Sequence, residues 1–218
     1  MNERANEPVS TKGAESAVRA RILREAWATI EAGRLDDLTM GAIATAAGVS
    51  RQTVYVQFGS RAGLLVQMVR ERDEANPRRE RVAAALAAPN PVEALVALTR
   101  ALAGWWADIH PIAHALYAAA LTDEAARAAW EDRMAHLHEF TDAVVERLAE
   151  DDVLAHGWDP PLASDWLAAQ LNPLGWVLLV KDSGWAQSLY EQRMATIVQD
   201  VLVDPASARS AGVRARDW

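Results

Sequence analysis

Four side chains within five positions, Arg51, Gln52, Thr53 and Tyr55, carry the donors and acceptors that base edges and phosphate oxygens require. Arg51 and Gln52 can make the paired hydrogen bonds that tell one base edge from another, while the hydroxyls of Thr53 and Tyr55 can reach phosphates. Thr39 and Arg61 add donors at the starts of two neighbouring helices, where unpaired N–H groups already favour an anion.

The surrounding residues must build the frame that aims these groups. Positions 39–58 read TMGAIATAAGVSRQTVYVQF. Thr39, Ser50 and Ser60 are oxygen-bearing caps, which predicts helices over about 40–46, 51–56 and 61–75. Ile43, Ala44, Ala47 and Val49 form a tight inner face on which a second helix can cross closely, and Gly48 falls where the turn needs an unusual backbone. With Val54 turned inward, about 100° per residue carries Gln52 and Val56 to the opposite, groove-facing side. A longer helix over 14–32 precedes them, its apolar face drawn from Val18, Ile22, Leu23, Ala26, Trp27 and Ile30 and its end marked by Gly33.

This string of residues, with Thr39, Ile43-Ala44, the AGVS of 47–50, the TVY of 53–55 and Phe58, then Ser60, Arg61, Leu64 and Leu65, resembles the DNA-binding domain of the TetR family of regulators over about the first third of the chain. The resemblance implies that Thr39, Arg51, Gln52, Thr53, Tyr55 and Arg61 contact double-stranded operator DNA and that Phe58 packs in a hinge between domains. Gln57 stands where such proteins often carry an aromatic residue or a histidine, and it joins the candidate phosphate contacts. Repression by blocking a promoter is the usual outcome in the family.

Charge distribution agrees with such a partner although total charge does not. The chain has 22 basic and 30 acidic residues, a formal charge of −8. Residues 1–81 carry +2 and the remainder −10, and from Leu38 to Arg70 there is no acidic residue while Arg51, Arg61 and Arg70 are present. The absence of cysteine excludes disulfides and thiolate metal sites. The longest apolar run, 174–180, is far shorter than the ~20 residues a membrane helix needs, and the N-terminus has no apolar core of a secretory signal, so the expected place is the cytoplasm, with no membrane partner.

Strand-like alternation is absent, so the expected fold is all-α: a three-helix helix-turn-helix domain followed by a helical domain for ligand binding and dimerisation. The expected organisation is a disordered arm over 1–13, the DNA-binding domain over 14–76, the regulatory domain over 77–204 and a disordered tail over 205–218. Pro77, Pro89 and Pro91 punctuate the linker, and five helices are predicted beyond it, over 92–109, 111–121, 123–149, 161–181 and 185–203.

In the helical domain Trp105, Trp106, Trp130, Trp166 and Trp176, with Met134, suit the wall of an apolar cavity, and His110, His114, Tyr117 and Gln170 are polar groups able to orient a small-molecule effector. Ordinary core packing is the competing reading of the same residues. His110 and His114 have helical spacing for a metal, but His110 is read as a helix-boundary residue ahead of Pro111 and no Glu-x-x-His follows, so neither a metal nor a cofactor is expected. The segment 161–181 shows one row of Leu167, Leu171, Leu174 and Leu178 and another of Trp166, Trp176, Val177 and Val180, while the last helix offers Leu189, Met194, Ile197, Val198, Val201 and Leu202. Resemblance implies that these two helices pair with their copies in a homodimer. The rival readings are a DNA-binding architectural protein without a ligand and a helical enzyme. The enzyme lacks any nucleophile–base pair or phosphate-binding glycine loop in the sequence.

Overall fold

The computed structural model describes residues 11–75 and 78–206. Of the arm read at 1–13, residues 1–10 lie outside the described residues, and Thr11 already opens a helix; of the tail read at 205–218, residues 207–218 lie outside them. Every named element is helical, and the one strand-like feature among the described residues is an isolated bridge between Leu154 and Val203. The chain forms two compact units that divide between Met68 and Val69.

The first unit contains α1 (Thr11–Glu31), a 3-10 turn (Leu35–Asp37), α2 (Met40–Ala46), α3 (Arg51–Phe58) and the start of α4 (Arg61–Ala75). Ile22, Ala26 and Ile30 of α1 meet Leu38, Ile43, Val54, Leu64 and Leu65 in its core, all essentially out of solvent. The turn between α2 and α3 is a Schellman ending: Gly48 N–H donates to Thr45 O at 3.1 Å and Val49 N–H to Ala44 O at 3.0 Å. That pairing needs a left-handed residue, and Gly48 supplies it at φ +60°.

The second unit is built on α6 (Pro91–Ala120), a 30-residue helix against which α5 (Arg78–Leu86), α7 (Glu124–Glu150), α9 (Pro173–Trp176) and α10 (Gln187–Leu202) all pack. The two helices predicted over 92–109 and 111–121 are one. Pro111 has no N–H to give to Ala107 O, but His110 Nδ1 lies 3.2 Å from that carbonyl and donates in its place. Buried Ile109 and Ile112 on either side hold the two halves in line. His110 is therefore an interior helical residue and not a boundary one.

The predicted helix over 161–181 fails in the opposite way. α8 (Pro160–Gln170) stops before Asn172, which adopts an extended backbone (φ −67°, ψ 136°) as the residue before a proline prefers, and its side chain accepts from Leu174 N–H at 2.9 Å. Pro173 is the first residue of α9, which passes into a π-helical turn, Val177–Asp182. The leucine and tryptophan rows consequently do not run along one helix: Leu167 and Leu171 are buried and Leu178 is 61% exposed. Arg147 of α7 fastens the end of α5, donating to Leu86 O, to Ala88 O at 2.6 Å and to Pro89 O at 3.5 Å.

Candidate nucleic-acid interface and aromatic clusters

α3 begins where Ser50, extended at φ −74° and ψ 151°, turns its hydroxyl back to accept from Thr53 N–H at 3.0 Å. Thr53 Oγ1 stands 2.8 Å from the same oxygen, so the two hydroxyls share a proton between them and leave one O–H to donate outward. Val54 is fully buried and Phe58, one turn on, nearly so; Gln52 is exposed and Val56 is 76% exposed. The helix thus presents the side that helical geometry assigned to a groove.

Arg51 and Tyr55, one turn apart, are both exposed and joined: Arg51 Nη2 donates to the Tyr55 hydroxyl at 3.3 Å and the guanidinium lies 5.5 Å from the ring centre. A phenol that accepts in this way keeps its own proton for an acceptor beyond it. Thr39 is exposed and caps α2, accepting from Ala42 N–H at 3.2 Å, and it too retains a hydroxyl proton. Arg61 is half-buried and engaged within the unit, with Nε donating to Leu38 O at 2.8 Å and Nη2 to Leu35 O at 3.5 Å. Gln57 is half-buried, and its backbone oxygen accepts from Arg19 Nη1 at 3.1 Å. The Arg19 guanidinium also covers the Phe58 ring at 4.8 Å. Sequence reasoning missed Arg19, because its partners are 38 residues away. A surface recess of about 430 Å³ lies beside α3, lined by Glu15 and Val18 of α1 and by Ser50, Gln52, Thr53, Val56 and Gln57.

In the second unit the structure distributes the aromatic candidates over separate pairs. His110 stacks obliquely on Trp176 with ring centres 4.6 Å apart, Tyr117 on Trp130 at 5.1 Å, and Trp166 on Trp158 at 5.6 Å. Trp105, Trp106 and Trp176 are buried, Trp130, Met134 and Gln170 half-buried, and His114 exposed. Met134 Sδ receives Asn172 Nδ2 at 3.4 Å.

The first of these pairs sits in a polar seam that sequence reasoning did not find. Trp176 Nε1 donates to Gln187 Oε1 at 2.7 Å, and Gln187 Nε2 donates to Ala103 O at 3.0 Å and to Glu191 Oε1 at 2.6 Å. Burial holds the His110 imidazole below its ordinary pKa of 6.5; the bond to Ala107 opposes this, and Lys181 and His114 reinforce it. Tyr190, also on α10, is buried with no hydrogen-bond partner for its hydroxyl, and desolvation pushes its pKa up to about 12. The indole N–H of Trp106 is likewise buried without a partner. Among the described residues no group of three or more His, Asp or Glu gathers that could hold a metal, and no helix is long and apolar enough to cross a membrane.

Comparison with known proteins shows what this arrangement is similar to. Residues 22–68 match the model for bacterial regulatory proteins of the tetR family. No match was found among curated proteins. Among solved structures, the chain is similar to a protein from Mesorhizobium loti described as a TetR-family transcriptional regulator (19% identity, 87% of this chain and 98% of that one, TM-score 0.64). It is also similar to NalD, the secondary repressor of the MexAB-OprM multidrug efflux pump in Pseudomonas aeruginosa (21% identity, 88% and 98%, TM-score 0.66). A third similar structure is the triclosan complex of SmeT, repressor of a Stenotrophomonas maltophilia efflux pump (16% identity, 88% and 94%, TM-score 0.66). Residues 22–68 thus match the DNA-binding segment of the tetR family of bacterial regulatory proteins, and the chain shares its fold with these solved regulators.

Proposed function

We propose that this chain is a ligand-responsive repressor that binds operator DNA in the cytoplasm as a homodimer and is released by a small apolar or aromatic molecule. In this reading residues 14–76 are the DNA-binding domain and 77–204 the regulatory and dimerisation domain. The observation that carries it is α3: Ser50 caps it, Val54 anchors it, and Arg51, Gln52 and Tyr55 are left exposed on a helix within an acid-free stretch. Arg51 and Gln52 read base edges, while Thr39, Thr53, Tyr55, Gln57 and Arg61 hold phosphates. For Arg61 this role uses the guanidinium N–H groups left over from Leu35 and Leu38.

Support for an effector is chemical. Trp106 and Tyr190 hold buried donors that lack acceptors, and Trp105, Trp176, His110, His114, Tyr117, Trp130, Met134, Trp166 and Gln170 supply aromatic or polar groups elsewhere in the same unit. SmeT has been captured with triclosan, a small aromatic molecule, and NalD represses an efflux pump. An effector that binds one dimer geometry better than the other shifts the spacing of the two α3 helices. The rival reading, a DNA-binding protein without a ligand, draws on the close packing of Trp105, Trp106 and Trp176.

The test is to select bound fragments from random duplexes with the full-length protein, then screen small aromatic and apolar compounds for release. Enrichment of one palindromic site and its release by at least one compound supports the proposal. Enrichment without any release favours the ligand-free reading, and no enrichment at low salt overturns both.

A further inference from the structure

We propose that Val56 is a specificity-determining residue that reads the C5-methyl group of a thymine in the operator. The inference rests on the DNA-binding role proposed for α3. Among the described residues of the first unit, the exposed large apolar side chains are Tyr55 and Val56, and Val56 is the barer at 76% against 41%. Tyr55 is accounted for by its hydroxyl and by Arg51. Val56 has no polar side-chain atom, leaves most of its surface uncovered in its own unit and, being β-branched, is a poorer helix former than alanine.

Its position suggests what it meets. Val56 lies one turn beyond Gln52 on the same side of α3, a displacement of ~6 Å along the helix axis. Successive base pairs stand ~3.4 Å apart, so the two side chains address positions about two base pairs from each other. It borders the recess shared with Gln52 and, across it, Val18, so its methyl groups face an open concavity. In the major groove the only apolar group a base pair offers is the thymine methyl, and an aliphatic side chain contacts it where a polar one would waste a hydrogen bond. Gln52 has the complementary chemistry for an adenine about two base pairs away, which it can hold through N6 and N7.

The test uses the site enriched from random duplexes and replaces each thymine in it, one at a time, by deoxyuridine, which differs only in lacking the methyl. Affinities of wild type and Val56→Ala are measured for every duplex by fluorescence anisotropy. At one thymine per half-site the replacement should weaken wild type about fourfold, the worth of one buried methyl, while Val56→Ala should bind both duplexes alike. Val56→Ser should behave as the alanine variant does. If a site is enriched but every methyl deletion affects wild type and Val56→Ala equally, this inference is overturned while the DNA-binding reading stands. If no site is enriched, both fall together.

Discussion

In the proposed reading the side chains of α3 divide into those that select a sequence and those that hold any duplex, and single substitutions should separate them. Gln52 is exposed and makes no hydrogen bond to another side chain that would restrain it, so Gln52→Ala should change which sequences are enriched and cost about 1–3 kcal/mol on the best site only. Tyr55→Phe removes the hydroxyl that Arg51 donates to and should weaken binding by a similar factor on every duplex. Competition assays against scrambled DNA distinguish the two patterns. Tyr190 makes a different argument. A buried phenol without a partner costs stability, so Tyr190→Phe should stabilise the protein by ~1 kcal/mol. Because its folded pKa is raised from 10.0 to about 12, the unfolded chain loses the proton first as pH climbs, and stability should fall between pH 10 and 12 in wild type. That component should vanish in the phenylalanine variant on thermal melts. A variant that is more stable and yet no longer released by the effector would explain why the hydroxyl is kept. The inward and outward sides of α3 were legible from 100° spacing alone, because Val54 is the obvious anchor. The ties of Arg61 to Leu38 and of Arg19 to Gln57 were not, since each spans a turn that only the folded chain brings close.

At the level of helices, local chemistry decided what could be read. Thr39, Ser50 and Ser60 accept from Ala42, Thr53 and Gly63 N–H groups as caps do, so the starts of α2, α3 and α4 were visible three residues at a time. Prolines were harder, because the same ring ended one helix and sat within another. Pro111 is tolerated because His110 satisfies Ala107 O and because α6 is gripped by four other helices, neither of which a local pattern contains. Pro173 starts a helix because Asn172 precedes it as a cap. The separation of Trp166 from Trp176 into different pairs follows from the break at Asn172, since a continuous helix over 161–181 would have aligned them differently. The junction of α3 and α4 gives a sharp test of packing against propensity. In a free helix Gly63→Ala would gain ~1 kcal/mol. In this fold a Cβ at position 63 overlaps the carbonyl of Phe58, so α3 and α4 would have to move apart. The variant should be less stable by about 1–3 kcal/mol and should lose DNA affinity in step, as followed by chemical denaturation and by binding to the selected site. A gain in stability would mean that the α3–α4 corner is slack.

The whole molecule carries −8, and a duplex repels that charge, so the proposed operator binding rests on the first unit and gains from being done twice. In the proposed reading a single α3 reaches one half-site, and pairing two copies would convert modest contacts into an operator complex. α10 is the helix whose two sides bear on this. Tyr190, Met194, Val198 and Leu202 are buried within the subunit, whereas Leu189 and Ile197 stand out at 38% and 42%, two turns apart on another side. If that side meets its own copy, symmetry applies any change there twice. Ile197→Asp should then leave an unpaired charge at each of two related positions, an effect of ~3–5 kcal/mol apiece if the site is fully desolvated. The variant should sediment as a monomer with an unchanged helical signal and a lower melt that no longer depends on protein concentration. It should still bind a half-site duplex weakly, and the advantage of a full palindrome over that half-site should disappear. A variant that sediments as a dimer and keeps its preference for the palindrome would place the interface elsewhere, and α10's exposed leucine and isoleucine would then be ordinary surface residues.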